Sequence, residues 1–280
     1  MLSVVSGKQM LRRFLLVIAG AALLTAMPFS IRAIAVSFDD PNVFGYGEAW
    51  SPPSELRVGS TGHGVVQLQR RLGEIGFRPG PVDGRYGEAL SAAVVAFQKA
   101  HGLPRDGIFR SADWRLLDEP ISVGTASAPD RVEIDLGRQV LFLIENQTVA
   151  SILPISSGSG STYRSRGGGL SKARTPEGAF SFYRHVDGWR ISYLGGLYEP
   201  YYFRGGYAIH GSGSVPAYPA SHGCVRVRIP DMNYLLGRLR LGMPVYVYGD
   251  TSRRSDVITP LETPAIERVE FSLPAELAIA

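Results

Sequence analysis

A single cysteine, Cys224, lies among residue types that are suited to nucleophilic catalysis. It ends the run Ser221-His222-Gly223-Cys224, and His210 lies upstream at the end of the strand-like stretch YAIH. A thiol attacks as its thiolate, and a nearby imidazole can accept the thiol proton. His222 is close in sequence, whereas His210 can approach the thiol across the loop from a neighbouring strand. The sequence therefore predicts a cysteine–histidine site and leaves the choice of histidine to geometry.

The residues next to Cys224 indicate how such a site would bind its substrate. Gly223 allows a sharp turn, in which successive N–H groups can point at a developing oxyanion. Arg226 and Arg228 alternate with valines, so both project from one face of a strand, where a guanidinium can bind a carboxylate. Each residue has an ordinary structural explanation alone, but their clustering in one segment favours catalysis.

We expect no metal at this site. Cys224, His210 and His222 would need a fourth ligand, and the nearby loop has no carboxylate.

The first 35 residues predict export. Lys8, Arg12 and Arg13 precede an apolar run, and a small-x-small cleavage site follows at residues 33–35. The run of about 16 residues is slightly shorter than the roughly 20 needed to span a bilayer. Residues 1–35 are therefore a signal peptide or, alternatively, an uncleaved membrane anchor. Either way, the rest of the chain belongs in the periplasm or the cell wall, where a thiol without a partner needs a reason such as catalysis.

The distribution of charge argues against a nucleic-acid partner. The formal net charge is +4, but the predicted leader carries four basic and no acidic residues, which leaves 25 basic and 25 acidic residues. Residues 129–249 hold 13 basic and 8 acidic side chains. A positive excess that is local to the Cys224 segment suits a carboxylate or another small anion better than a DNA backbone.

Residues 55–118 predict three short helices joined by glycine turns. Apolar residues recur at helical spacing in GVVQLQRRLGEIG and GEALSAAVVAFQKAHG, and Ser111 is a candidate N-cap for the third helix. Two Asp-Gly turns followed by an aromatic residue, at 83–86 and 106–109, form a small internal repeat. Residues 36–54 and 119–130 predict linkers.

Residues 131–249 predict a mostly β domain with one main helix. The sequence predicts a hairpin that turns at Gly137 and returns through VLFLI. Further strands are predicted at TPEGAFSFYR, YAIH and MPVYVYG, and the helix is predicted at PDMNYLLGRLRLG. The segment 157–172 is rich in glycine and serine and predicts a mobile surface loop rather than a strand. Residues 250–280 predict a loosely ordered tail. The chain is thus expected to be an α+β protein of two domains.

Two segments resemble known families. Residues 55–118, with VDGRYG and AVVAFQKAHGL, resemble the peptidoglycan-binding domain found beside cell-wall enzymes. Residues 131–249, with TPEGAF and HGSGSVPAYPASHGCVRV, resemble the L,D-transpeptidase catalytic domain. This resemblance implies that Cys224 is the nucleophile and His210 the general base. It also implies that Ser221, His222 and Gly223 form or orient an oxyanion hole and that Arg226 contacts substrate.

The resemblance further implies a two-step acyl transfer on peptidoglycan stem peptides, without metal or organic cofactor. Cys224 would attack the third-residue carbonyl of a tetrapeptide stem, release D-alanine and pass the acyl group to an amine. An L,D-carboxypeptidase, with water as acceptor, would use the same residues. A non-catalytic wall-binding protein is disfavoured by the intact His210 and Cys224, and the residue order of a sortase is absent.

The stretch GLYEPYYFRGG, at residues 196–206, lies where the family has a variable lid. Its tyrosines Tyr198, Tyr201 and Tyr202 either wall the pocket or pack among other aromatic side chains.

Overall fold

The structure is a computed structural model that describes residues 51–124 and 126–249. The predicted leader, most of the 36–54 linker and the tail from residue 250 lie outside the described residues. Among the residues that are described, no helix has the length and apolar character needed to cross a membrane.

The N-terminal part is helical, as predicted. It contains α1 (His63–Glu74), α2 (Glu88–His101), a 3-10 helix at Ser111–Asp118, and a small ribbon of β1 (Glu55–Leu56) and β2 (Phe109–Arg110). The predicted apolar faces of α1 and α2 are buried. The expectation that Ser111 caps the third helix is wrong, because the cap is Arg110, whose backbone N–H donates to Asp113 Oδ2 at 2.8 Å.

The internal repeat is confirmed, and each copy is organised by a buried glutamine. The Gln69 side chain donates to Asp83 Oδ1 at 2.9 Å and accepts from the Gly84 N–H at 2.9 Å. Gln98 makes the same two bonds, to Asp106 Oδ1 and from the Gly107 N–H, each at 2.9 Å. Each helix thus fixes the Asp-Gly turn that follows it, and the two units close one core.

The remaining described residues form a mostly β domain with one α-helix, as predicted. Its elements are β3 (Arg131–Asp135), β4 (Val140–Glu145), β5 (Thr148–Pro154), β6 (Thr162–Arg164), β7 (Leu170–Lys172), β8 (Gly178–Ser181), β9 (Arg184–His185), β10 (Trp189–Ser192), β11 (Gly195–Arg204), β12 (Tyr207–Ser212), β13 (Val225–Arg228), α3 (Ile229–Leu236) and β14 (Pro244–Tyr248). One sheet has the order β5-β4-β3-β14-β8, and the other has the order β10-β11-β12-β13 with β9 paired to β11.

The first sheet is buried on both faces. Along β4, Val140, Phe142 and Ile144 pack into a core shared with α1 and α2, whereas Leu141 and Leu143 pack against the second sheet and α3. A strand covered on both sides must be apolar at every position, which explains the unbroken VLFLI run. The fold therefore has three layers, with the first sheet in the middle.

Polar contacts reinforce the packing of the helical part on this sheet. The Ile152 N–H donates to the Gly76 carbonyl at 2.8 Å, and the buried Lys99 ammonium donates to the Ile155 carbonyl at 2.7 Å. Burial lowers the pKa of Lys99 to about 7. In the segment between the two parts, Ile121 and Val123 are buried in the same core. The helical part thus covers a sheet face that would otherwise meet solvent.

The prediction for residues 157–172 is wrong, because β6 and β7 form an antiparallel hairpin there, with Thr162 opposite Lys172. Gly168 has φ +83° in the connecting turn. The segment 196–206 is also ordered, since most of it belongs to the long strand β11.

We expect the β part to be unstable without its helical cover. Expressed as residues 126–249, it would expose Val140, Phe142, Ile144, Val149 and Ile152, all at most 5% exposed in the whole structure. Each such side chain contributes about 1.5–3 kcal/mol on burial, against a total stability of about 5–15 kcal/mol.

Thermal unfolding followed by circular dichroism checks this expectation. The fragment should aggregate, or melt at least about 15 °C below the protein spanning 51–249. Equal melting temperatures for fragment and longer protein would show that the shared core contributes little.

Candidate active site

Two adjacent parallel strands bring the predicted catalytic residues together. In the register of β12 and β13, Ile209 lies opposite Val225 and His210 opposite Arg226, and Cys224 immediately precedes β13. A cavity of about 650 Å³ opens at this point. Of the predicted site residues, the cavity wall includes Cys224, His210, Ser221, His222 and Arg226. Gly223, in the same turn, is not among the lining residues.

His210 is buried and neutral. Its side chain is 4% exposed, and its Nδ1 lies 2.9 Å from the Gly211 carbonyl oxygen. A carbonyl oxygen only accepts, so Nδ1 carries the proton and Nε2 is left as the acceptor. The pKa of His210 is lowered to about 4, mainly by burial; the hydrogen bond to Gly211 opposes this shift, and the Arg226 guanidinium adds to it. The imidazole is therefore unprotonated at neutral pH.

The environment of Cys224 favours the protonated thiol over the thiolate. Desolvation raises its pKa, and the Ala208 N–H and the Arg226 guanidinium act in the opposite direction by stabilising the thiolate. The Cys224 Sγ lies 3.6 Å from the Gly206 carbonyl. A thiol that is not ionised beforehand can attack only if a base removes its proton during the attack.

His222 occupies a different environment. It is exposed, and its ring meets Tyr163 edge-on with centroids 4.9 Å apart. Tyr163 belongs to the β6–β7 hairpin. His222 therefore forms part of the cavity rim, whereas His210 lies at its base.

The turn before Cys224 is fixed by two hydroxyl groups. Ser221 Oγ accepts from the Gly223 N–H at 2.9 Å and donates to the Cys224 carbonyl at 2.6 Å. Thr175 Oγ1 donates to the Gly223 carbonyl at 2.7 Å and accepts from the Gly158 N–H at 3.0 Å. Sequence reasoning missed Thr175, which is 48 residues from its turn partner. Ser221 and Thr175 therefore fix the backbone turn that positions Cys224.

Gly223 cannot be replaced without moving its surroundings. Its φ is +131°, and a Cβ there would lie 2.6 Å from a Tyr207 ring carbon and 2.9 Å from the Arg174 carbonyl oxygen. The Gly223 amide already donates to Ser221, so its hydrogen bond stabilises the turn itself.

The two arginines of β13 have different surroundings. Arg226 lines the cavity, whereas Arg228 binds the buried Asp231 through two bonds of 2.7 and 2.9 Å at the start of α3. Arg226 is therefore the one that is available to a ligand.

Of the three tyrosines in the 196–206 segment, only Tyr202 lines the cavity. Tyr198 packs on Trp189 with ring centroids 5.3 Å apart, and Tyr201 stacks on His185 at 4.1 Å. The strand β11 alternates its faces, so Tyr201 and Tyr202 point in opposite directions.

A cysteine, a buried neutral histidine and an arginine lie on one cavity of the mostly β domain, an arrangement that suits an enzyme with a cysteine nucleophile. The family model of the L,D-transpeptidase catalytic domain matches residues 129–247, and that of the peptidoglycan-binding domain matches residues 61–115. The chain belongs to the L,D-transpeptidase family, with an N-terminal peptidoglycan-binding domain, and acts on the cell wall outside the cytoplasm.

Two solved structures are similar to this chain. An L,D-transpeptidase from Xylanimonas cellulosilytica is 42% identical, with a TM-score of 0.66, over 72% of this chain and 100% of that one. An L,D-transpeptidase from Stackebrandtia nassauensis is 23% identical, with a TM-score of 0.44, over 71% of this chain and 98% of that one. No curated protein sequence matches this chain.

Proposed function

We propose that the chain cross-links peptidoglycan by a thioester mechanism in which Cys224 is the nucleophile and His210 the general base. The observation that carries this proposal is the pairing of β12 with β13. It brings onto one cavity a buried imidazole whose Nδ1 faces a carbonyl, a thiol, and a guanidinium that forms no ion pair with residues 51–124 or 126–249. Peptidoglycan stem peptides are the substrates, and the reaction needs no cofactor.

The first half-reaction forms a thioester. Nε2 of His210 removes the Cys224 proton while the sulfur bonds to the third-residue carbonyl carbon of a tetrapeptide stem. The C–N bond to the terminal D-alanine breaks, and the His210 proton moves to the departing amine. Arg226 is positioned to bind a carboxylate of the stem, such as that of D-alanine.

The second half-reaction transfers the acyl group. An acceptor amine attacks the thioester and loses a proton to His210, the C–S bond breaks, and the thiolate recovers the proton. Two tetrahedral oxyanions form on this path. Because the Gly223 amide is engaged by Ser221, we infer that the neighbouring amides of His222 and Cys224 stabilise them.

We further propose that residues 55–118 tether the enzyme to the insoluble wall, which raises the effective concentration of stem peptides. Residues 131–249 carry the catalysis. Residues 1–35 direct export, which delivers the enzyme to the periplasm or cell wall.

Product analysis tests the reaction. The protein is incubated with a stem tetrapeptide and an amine-bearing acceptor stem, and the products are separated by liquid chromatography and weighed by mass spectrometry. We expect a cross-linked dimer and one released D-alanine per cross-link. Trimmed tripeptide without dimer, even at high acceptor concentration, would make the protein an L,D-carboxypeptidase instead.

A further inference from the structure

The cavity wall carries positive charge well beyond the Cys224 and His210 pair. Among the described residues, three arginines line it, Arg184, Arg190 and Arg226, and no aspartate or glutamate does. Arg226 follows Cys224 by two residues at the start of β13, which places it roughly 7 Å along the chain from the proposed nucleophile. The other two arginines come from β9 and β10, so they form a second cationic centre.

This second centre lies against Tyr202. The Arg184 guanidinium lies over the Tyr202 ring, 5.2 Å from its centroid. Burial raises the pKa of Tyr202, and among the charges that act on it are Arg190, Cys224 and Arg184. Tyr202 therefore lies close enough to both guanidinium groups and to Cys224 for all three to act on its hydroxyl group.

The strands that carry these arginines are fixed to the rest of the sheet. Arg184 lies opposite Tyr202 in the pairing of β9 with β11, and Arg190 lies opposite Leu197 in the pairing of β10 with β11. Next to Arg184, His185 donates through Nε2 to Glu199 at 2.8 Å. The two guanidinium groups are therefore held by paired backbone and not by a free loop.

No described acidic residue neutralises Arg184 or Arg190. Within residues 51–124 and 126–249, Arg184, Arg190 and Arg226 form no ion pair. Two carboxylates of the same region contact His185 instead: Glu199, which also accepts from the Gly188 N–H at 2.7 Å, and Asp187. Unpaired cations around a concave site attract an anionic group from the ligand.

We propose that Arg184 and Arg190 form a specificity subsite that binds a side-chain carboxylate on the third residue of the donor stem. This inference rests on the proposed function, because it assumes that the third-residue carbonyl meets Cys224. Arg226 then binds the carboxylate of the departing D-alanine, and the second centre binds the carboxylate on the other side of the scissile bond. The enzyme selects donors whose third residue is acidic over donors in which that residue is amidated.

Two synthetic tetrapeptide donors test the subsite, identical except that the third residue carries either a side-chain carboxylate or a carboxamide. We measure kcat/KM for D-alanine release from each. The unaltered protein should prefer the carboxylate by about tenfold, and the double variant Arg184→Gln, Arg190→Gln should lower that ratio to about one. Both arginines are exposed, so the variant should fold.

Arg204→Gln is the matched control, because Arg204 is an exposed arginine of β11 that lies over Phe180 and outside the cavity wall. It removes the same charge and should keep the tenfold ratio. An equal loss on both donors, or an unchanged ratio in the double variant, would overturn the subsite.

Binding separates this proposal from the proposed reaction. Calorimetric titration of Cys224→Ala protein with both peptides reports the preference even if the enzyme releases no D-alanine. Absence of turnover with a carboxylate preference that depends on the two arginines would contradict the reaction and support the subsite. Turnover without any such preference would support the reaction and contradict the subsite.

Discussion

Replacing Cys224 by alanine should abolish D-alanine release and cross-link formation, with a loss of about 10⁴-fold or more in kcat/KM. No other thiol exists in the chain to take its place. The neutral His210 can activate a nucleophile but does not form the thioester itself, so catalysis without the sulfur is limited to direct attack by water. Liquid chromatography with mass spectrometry of the stem-peptide products measures the loss.

The Cys224→Ala variant should keep its fold, which makes the loss of activity interpretable. The Cys224 sulfur lies 3.6 Å from the Gly206 carbonyl, a weak contact, and alanine removes a single heavy atom. The melting temperature should change by no more than a few degrees. Cross-links formed by purified Cys224→Ala protein at more than a hundredth of the normal rate would remove Cys224 from the mechanism.

Alkylation supplies an independent check on the same residue. Because the chain has one cysteine, iodoacetamide should add a single label, and the labelled protein should be as inactive as the alanine variant. A thiol whose pKa is raised by desolvation should react slowly at neutral pH and faster as the pH rises.

Features that depend on local sequence were predicted well. The faces of α1 and α2, the two Asp-Gly turns and the β3–β4 hairpin depend on spacing within about ten residues, and all are confirmed. The cysteine site was also visible, because Cys224, His222 and Arg226 lie within one short segment. The structure then placed His210 and His222 in different environments, which spacing alone left open.

Features that depend on distant partners were not predicted. Glycine and serine in residues 157–172 have low strand propensity, yet cross-strand pairing outweighs it. Thr175 touches the Gly223 turn only after the chain has folded, and Arg184 reaches the cavity through the pairing of β9 with β11. The VLFLI run is apolar on both faces of its strand, and this pattern by itself indicates a sheet that is covered on both sides.

The choice between the two histidines has a measurable outcome. His210→Gln should lower kcat/KM by about 10³-fold, because it removes the general base while leaving a hydrogen-bonding side chain of similar size. His222→Gln should lower it by less than about tenfold, because His222 is exposed at the rim and packs on Tyr163. A larger loss in His222→Gln than in His210→Gln would assign the base to His222.

The pH dependence distinguishes a missing base from a distorted site. The base must be unprotonated, and burial holds the pKa of His210 at about 4, so kcat/KM of the unaltered protein should stay flat from about pH 5 to 7 and fall only in more acidic solution. A histidine with an ordinary pKa would instead give an acidic limb near about 6.5. In His210→Gln, attack depends on thiolate that forms without help, so the residual activity should rise about tenfold per pH unit below the thiol pKa. A His210→Gln variant whose residual activity is independent of pH would show that His210 positions the site and does not move the proton.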